Sequence, residues 1–300
     1  MRKVIVILTM PFFCFPFYGQ IHPKEDVAMF EYRIIPDIND VEARTYTINA
    51  NIFTTLLNGN LEFGLSYSNN QFSFFDQPTL LDEASYEETH ILEASIAFEK
   101  KVTGSWSFAM GIAPTLASDF GNAVTHEDLI LNASLAISKK WGHHMGHSTI
   151  AFGIAHGTAF GEPLFFPIAT FTRKINEKWM YYLGIPRSGI TTNINERHAI
   201  KAKALFSGSY SNISSTVTFD NRTIADSKLQ YNGLDFGLEH DYRIQPNFTT
   251  VIRLGYAAVN NFEIVDNNDR LLYDFEPESS IYFNIGLKFN LNKNANESEL

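Results

Sequence analysis

Cysteine is nearly missing from this chain: Cys14 is the single one in 300 residues, and it lies in the N-terminal apolar run. A disulfide scaffold, thiolate chemistry and Cys-ligated zinc are thereby excluded for a chain that loses that run. Long apolar runs are also lacking. After Phe17 no stretch approaches the ~18 apolar residues of a membrane-crossing helix. Positive charge is scarce too, with Lys+Arg 23 against Asp+Glu 33 and a net charge of -10. Phosphate backbones need a basic surface, so nucleic acid is not expected as a partner. Mean hydropathy is -0.11, which conceals the organisation of the chain.

That organisation is alternation. From Ser280 to Leu291 the residues Ile281, Phe283, Ile285, Leu287, Phe289 and Leu291 alternate with Ser280, Tyr282, Asn284, Gly286, Lys288 and Asn290. One face is wholly apolar and the other small or polar, as expected where one side meets lipid and the other a wet lumen. A tilted strand crossing a bilayer needs about 9–11 residues, so a dozen at strict period two suits one. The same alternation recurs in Thr45–Leu57, Leu61–Tyr67, Leu92–Phe98, Trp106–Ala113, Leu129–Ile137, Ile150–Ala155, Phe165–Ile175, Trp179–Ile185, Leu234–Tyr242 and Phe248–Phe262. His198–Ser207 and Ile213–Phe219 carry it more weakly, as does Val27–Ile35.

The connections alternate in length. Tight ones are expected at 58–60, 103–105, 142–147, 176–178, 209–212 and 245–247, and longer polar ones at 76–86, 119–126, 186–196, 220–227 and 263–277. Outer-membrane barrels have short periplasmic turns and long outer loops. On that rule Val27–Ile35 is an outward strand, and the pattern predicts an all-β, antiparallel up-and-down transmembrane barrel of about fourteen strands. Twelve would follow if 198–219 is not a hairpin. Trp106, Trp141 and Trp179 flank proposed periplasmic turns, where aromatic rings favour the headgroup boundary. Phe120, Phe160, Phe262 and Tyr273 are expected in an outer girdle.

At the N-terminus, Arg2 and Lys3 precede an apolar run to about Phe17 and then Tyr18-Gly19-Gln20, which reads as a signal peptide cut after Gly19. Residues 20–291 would form the barrel and 292–300 a polar tail. Export to the outer membrane of a Gram-negative cell is implied.

Parity turns Glu62, Glu93, Glu99, Lys201, Lys203, Asp235, Glu239 and Arg253 into the lumen. Facing lipid would cost up to ~2–4 kcal/mol for a Lys or Arg at midplane. They either line a pore or pair into a filled interior. His143, His144 and His147 cluster in a turn without a neighbouring carboxylate, so no metal site is expected. The acidic stretches 76–88 and 263–278 read as solvated loops, and Asp266-Asn267-Asn268-Asp269 lacks the Gly and distal Glu of an EF-hand. His156 and His240 lie on lipid-facing parity without an evident Ser and orienting acid. No catalytic residue and no cofactor are expected, so the chain reads as a non-enzyme.

The signal peptide, the hairpin series and Leu183–Ile190 (LGIPRSGI) resemble an uncharacterised family of outer-membrane β-barrel proteins, known as a domain of unknown function. The resemblance implies compartment and fold and supplies no catalytic residues. Asn284, Gly286, Phe289 and Leu291 also resemble the C-terminal signal read by the barrel-assembly machinery, although the chain runs on past the strand. Expected partners are that machinery, outer-membrane lipid and lipopolysaccharide. The expected function is a small porin or narrow solute channel. A closed barrel with acidic outer loops used for binding or structure is the alternative, and a membrane-embedded hydrolase is third.

Overall fold

A computed structural model describes residues 26–75, 83–143, 146–219 and 222–291. The leader, Cys14, His144, residues 76–82 of the acidic loop and the tail 292–300 lie outside the described residues.

Alternating sequence becomes strand throughout. The strands are β1 (Ala28–Ile35), β2 (Val41–Leu56), β3 (Gly59–Phe74), β4 (Glu88–Thr103), β5 (Trp106–Ser118), β6 (Leu129–His143), β7 (Gly146–Gly157), β8 (Leu164–Lys174), β9 (Trp179–Ile185), β10 (Arg187–Asn193), β11 (His198–Ile213), β12 (Val217–Phe219), β13 (Arg222–Ile224), β14 (Ser227–Gln245), β15 (Phe248–Val265), β16 (Leu271–Asp274) and β17 (Ser280–Phe289). Each of β1 to β11 pairs with its sequence neighbour, β11 continues to β14, then β15, then β17, and β17 returns to β1. The result is a closed antiparallel barrel of 14 strands. β12, β13 and β16 belong to its long loops.

Closure falls where the terminal strand's alternation points. Arg33 of β1 sits opposite Asn284 of β17, and Tyr32 opposite Ile285. On β17 the outward Ile281, Phe283, Ile285 and Leu287 are 39–61% exposed, while the inward Tyr282 and Asn284 are buried. Trp106, Trp141 and Trp179 are all partly exposed at the short-turn end. No described helix is long and apolar enough to cross a membrane, a statement that leaves strands untouched.

The strand count agrees with the sequence because two departures cancel. Residues 186–196, read as a long loop, contain β10: a tight turn at cis Ile185–Pro186 pairs Tyr182 with Gly189. His198–Ser207 and Ile213–Phe219, read as a hairpin, are instead the single strand β11 followed by loop. The turn expected at 209–212 is strand paired to β14, Ser211 opposite Leu229. Short alternating segments with a polar break carry the same pattern as one long strand with Ser and Gly in it, so periodicity does not separate them. A smaller shift affects the first hairpin, whose turn is Leu57-Asn58 at positive φ and not 58–60. The outer girdle also loses members, since Phe262 is fully buried and Phe160 packs between Phe166 and Phe206.

Strand height is uneven, and this shapes the interior. β9 and β10 have 7 residues each, against 16, 19 and 18 in β11, β14 and β15. Seven residues rise roughly 23 Å along the strand, short of the ~30 Å apolar thickness even before tilt. Above Pro186, β11 has no β10 beside it. It leans across to β5 instead, where Asn212 pairs in parallel with Ser118 and the Asp119 N–H donates to the Asn212 carbonyl at 3.0 Å. The long-loop end is therefore ringed by β11, β14, β15, β17 and β1 to β5 alone.

Candidate functional site: a charged lumen under an apolar seal

In the lower lumen, inward positions of five adjacent strands place opposite charges side by side. Glu239 of β14 is fully enclosed by cations. Lys201 Nζ donates to it at 2.9 Å, Lys203 Nζ at 2.6 Å, and Arg253 Nη2 at 2.5 Å. Lys201 also meets Asp241 at 2.5 Å, Arg253 reaches Glu31 at 3.3 Å, and Lys288 lies 3.7 Å from Asp241 and 3.8 Å from Asp26. One level up, Arg33 is paired to Asp235 at 2.7 Å and stacks over the Tyr282 ring at 4.4 Å. Ion pairs out of water must be this well matched, because desolvation otherwise exceeds the Coulombic gain.

The expected lumen residues thus divide. Lys201, Lys203, Glu239 and Arg253 join one network, and Asp235 joins the Arg33 pair above it. Glu93 stands on the opposite wall, accepting from Thr115 Oγ1 at 3.0 Å and Asn132 Nδ2 at 2.8 Å. Glu62 and Glu99 are inward on β3 and β4. Sequence reasoning missed Glu31, Arg33, Asp241 and Lys288. Strand parity marked Lys288 as inward, and the same parity on β1 marks Glu31 and Arg33. Of the terminal-strand residues, Asn284 is buried inward, Gly286 lies under the Phe30 carbonyl, the Phe289 ring sits 5.1 Å from that of Phe248, and Leu291 is exposed.

Above the charges the interior turns apolar. Ile35, Val41, Phe72, Ile213, Leu229 and Phe262 converge from the walls, with Tyr86, Val217 and Phe275 added from the loops. The Phe262 and Phe275 rings lie 4.5 Å apart, and Phe72 is 5.2 Å from Phe262. A barrel of about eight strands has an interior that side chains can just fill. The ring narrowed by β11 falls in that range.

A polar clasp holds β11 against β5. Asp119 accepts from Ser214 Oγ and Ser215 Oγ, each at 2.7 Å, and from the Ser214 N–H at 2.8 Å. Asn212 Nδ2 donates to Asp128 at 2.8 Å, and Lys228 Nζ bridges Asn212 Oδ1 and Glu127 at 2.8 Å each. Burial pushes the Asp119 and Asp128 carboxyls up, but the hydrogen bonds they accept outweigh it, so both sit below the ordinary carboxylate value. Lys228 holds Glu127 below its ordinary value as well.

His126 lies 3.1 Å from Glu127 and His90 4.0 Å from Glu88, while the two histidines of lipid-facing parity meet other partners. His156 shares a hydrogen bond with the Leu131 carbonyl at 2.8 Å, and His198 Nδ1 meets His240 Nε2 at 3.0 Å. Among the described residues no group of three or more His, Cys, Asp or Glu could hold a metal ion.

The family model for a domain of unknown function, DUF6268, matches residues 45–290. The chain belongs to that family. No curated protein matches it. Solved barrels do resemble it at the level of the fold. The KdgM porin is 10% identical, with 88% of this chain and 99% of that chain covered and a TM-score of 0.35. LpxR from Salmonella typhimurium is 7% identical, with 88% and 100% covered and a TM-score of 0.42. An active-site mutant of outer membrane phospholipase A from Escherichia coli is 9% identical, with 96% and 95% covered and a TM-score of 0.37. These neighbours include enzymes, LpxR and the phospholipase, as well as a porin, so the non-enzyme reading is withdrawn. A barrel without an obvious triad in its sequence is not thereby non-catalytic.

Proposed function

We propose that this protein resides in the outer membrane, exported by its N-terminal signal, as a barrel whose long-loop end is closed to solutes. It would serve there as a binding or structural surface protein, and the open-channel reading takes second place. The apolar tier carries this view. Phe262, Ile213 and Val41 show 0% exposure at the level where a porin needs water. A conducting path would have to part aromatic rings held at ordinary packing distance, and the ion pairs below leave few free charges to select a solute. Asn284, Gly286, Phe289 and Leu291 act as the assembly signal in this reading.

Planar-bilayer recording tests the closure. Folded protein, verified by a heat-dependent shift on a detergent gel, should give no stepwise conductance. Phe72→Ala combined with Phe262→Ala should introduce it. Unitary steps from the unmodified protein would sink the closed-barrel reading and restore the channel.

A further inference from the structure

Near the long-loop rim the outward faces of β3, β4 and β5 change character. Leu92, Ile96 and Ile112 are exposed on the lipid side. Above them on the same faces stand Tyr67, Asn69, Glu88 and His90, and Phe120 follows the end of β5. The His90 and Phe120 rings are 5.8 Å apart and within 18° of parallel. The Tyr67 ring is 6.1 Å from that of His90 at 16°, and its hydroxyl meets Nδ1 at 2.9 Å, so these two lie edge to edge in nearly one plane. Tyr67 and Phe120 are 39% and 37% exposed. Phe120 holds a φ of 50°, a left-handed backbone that a bulky residue adopts only under restraint. The restraint is visible: its N–H donates to Ser118 Oγ at 3.2 Å, and the clasp at Asp119 fixes the backbone beside it. The ring is thereby kept next to His90.

The polar groups of this patch select what can bind. Asn69 Nδ2 donates to Glu88 Oε1 at 2.7 Å and to His90 Nδ1 at 3.1 Å. An amide nitrogen only donates, so Nδ1 accepts and the ring proton sits on Nε2. That Nε2–H lies 4.0 Å from Glu88 Oε1. The gap is too wide for a hydrogen bond and fits one oxygen about 2.8 Å from each atom. Such an oxygen must accept from the imidazole and donate to the carboxylate. A hydroxyl does both, whereas an ammonium only donates and an ionised phosphate or carboxylate only accepts. Glu87 and Glu88 also repel an anion, since Arg44, opposite Gln71 on the neighbouring strand, is already paired with Glu42. We propose that the patch binds the head of an uncharged glycolipid bearing one pyranose ring. A ring hydroxyl bridges His90 and Glu88, and the C–H face of the sugar lies on the exposed Tyr67 and Phe120 rings. Its chains run down the strip at Leu92 and Ile96, a continuity that fits a lipid and not a free glycan. The inference deepens the reading of a surface-binding barrel and rests on it, but the patch lies outside the lumen.

The test releases the full-length barrel from nanodiscs and counts retained lipid by native mass spectrometry. The nanodiscs hold equal parts of monoglucosyldiacylglycerol, diacylglycerol, phosphatidylethanolamine and phosphatidate. The glucolipid should be retained about tenfold over each of the others. His90→Phe keeps a ring and removes the Nε2 donor, and it should abolish that preference, as should Glu88→Leu. Phe120→Ala should lower glucolipid retention to the diacylglycerol level. His156→Phe, at the outward histidine of β7, should leave retention unchanged. Equal retention of all the lipids would overturn the proposal, and so would a preference for the ethanolamine or phosphate head. A glucolipid preference that survives both His90→Phe and Glu88→Leu would do the same. Displacement of the lipid by equimolar methyl glucoside would make a soluble glycan the ligand and overturn the lipid assignment. If the His90→Phe protein fails the heat-shift assay, Glu88→Leu, at the exposed end of β4, decides alone. Unitary conductance would remove the closed lumen without moving these retentions, so the two readings fail separately.

Discussion

The two sides of this barrel solve the same problem differently. From β11 through β14, β15, β17 and β1 to β3 the wall is tall in most strands, and its inner face is divided into a charged lower level and an apolar upper level. From β7 to β10 the strands shorten from 12 residues to 7, and β9 and β10 stop well short of the long-loop rim. The tall side can fill a lumen only because the short side lets β11 lean inward and narrow the ring. Among the described residues, the narrowing at one end comes from missing height on the opposite wall, together with the loop side chains Tyr86, Val217 and Phe275.

The charged level of the tall wall should be the most sensitive point. Glu239→Gln leaves Lys201, Lys203 and Arg253 facing one another, and removing one partner of a buried ion pair costs about 3–5 kcal/mol. Urea unfolding in lipid should show that loss, whereas Glu177→Gln, in the exposed turn between β8 and β9 and paired only at the surface to Lys174, should shift the midpoint far less. Equal shifts would mean that the two sides do not differ as described. At the apolar level, Phe262→Ala should cost about 3–5 kcal/mol from lost burial and a residual cavity. Leu287→Ala on the lipid face of β17 is the comparison variant, and its thermal transition should move less.

At the joint between the walls, a Cβ at Gly208 would overlap the Thr158 carbonyl, so Gly208→Val should expel the loop 158–163 between β7 and β8, with an overpacking cost of about 1–3 kcal/mol. Faster cleavage within that loop by added protease, with the heat shift retained, is the expected result. The smallest effect should come from acid. Asp119 and Asp128 have lowered folded values, so their contribution is complete above the ordinary carboxylate pKa of ~3.9 and is lost as pH falls through the folded value. Amide exchange of 119–128 and 212–215, corrected for intrinsic rates, should rise as pH falls below about 4. Asp119→Asn should remove most of that change.

Most of the barrel was legible beforehand because lipid on one side and an interior on the other impose a period of two along whole strands, repeated around the barrel between short turns and longer loops. Ser280–Leu291 announced its lipid face, and Glu239 and Arg253 announced themselves as inward. Residues 186–219 were misread in a way that left the count intact. A cis Ile185–Pro186 turn needs no Gly-rich loop to mark it, and Ser207, Gly208 and Ser209 look like a turn while serving as strand. Phe262 shares the composition of a girdle residue, and the bulge between Asn232 and Gly233 in the β14–β15 pairing is what accompanies its inward turn.

Alternation and parity by themselves determined that this chain forms a lipid-facing antiparallel barrel and which charges it hides, since both follow from residue order along a strand. Only the tertiary structure decided that those charges meet as one network, that β11 abandons its neighbour for β5, and that apolar side chains from walls and loops pack together in the upper interior. These depend on relative strand heights and on contacts between residues more than a hundred positions apart, such as Arg33 with Asp235, and no local period encodes such distances.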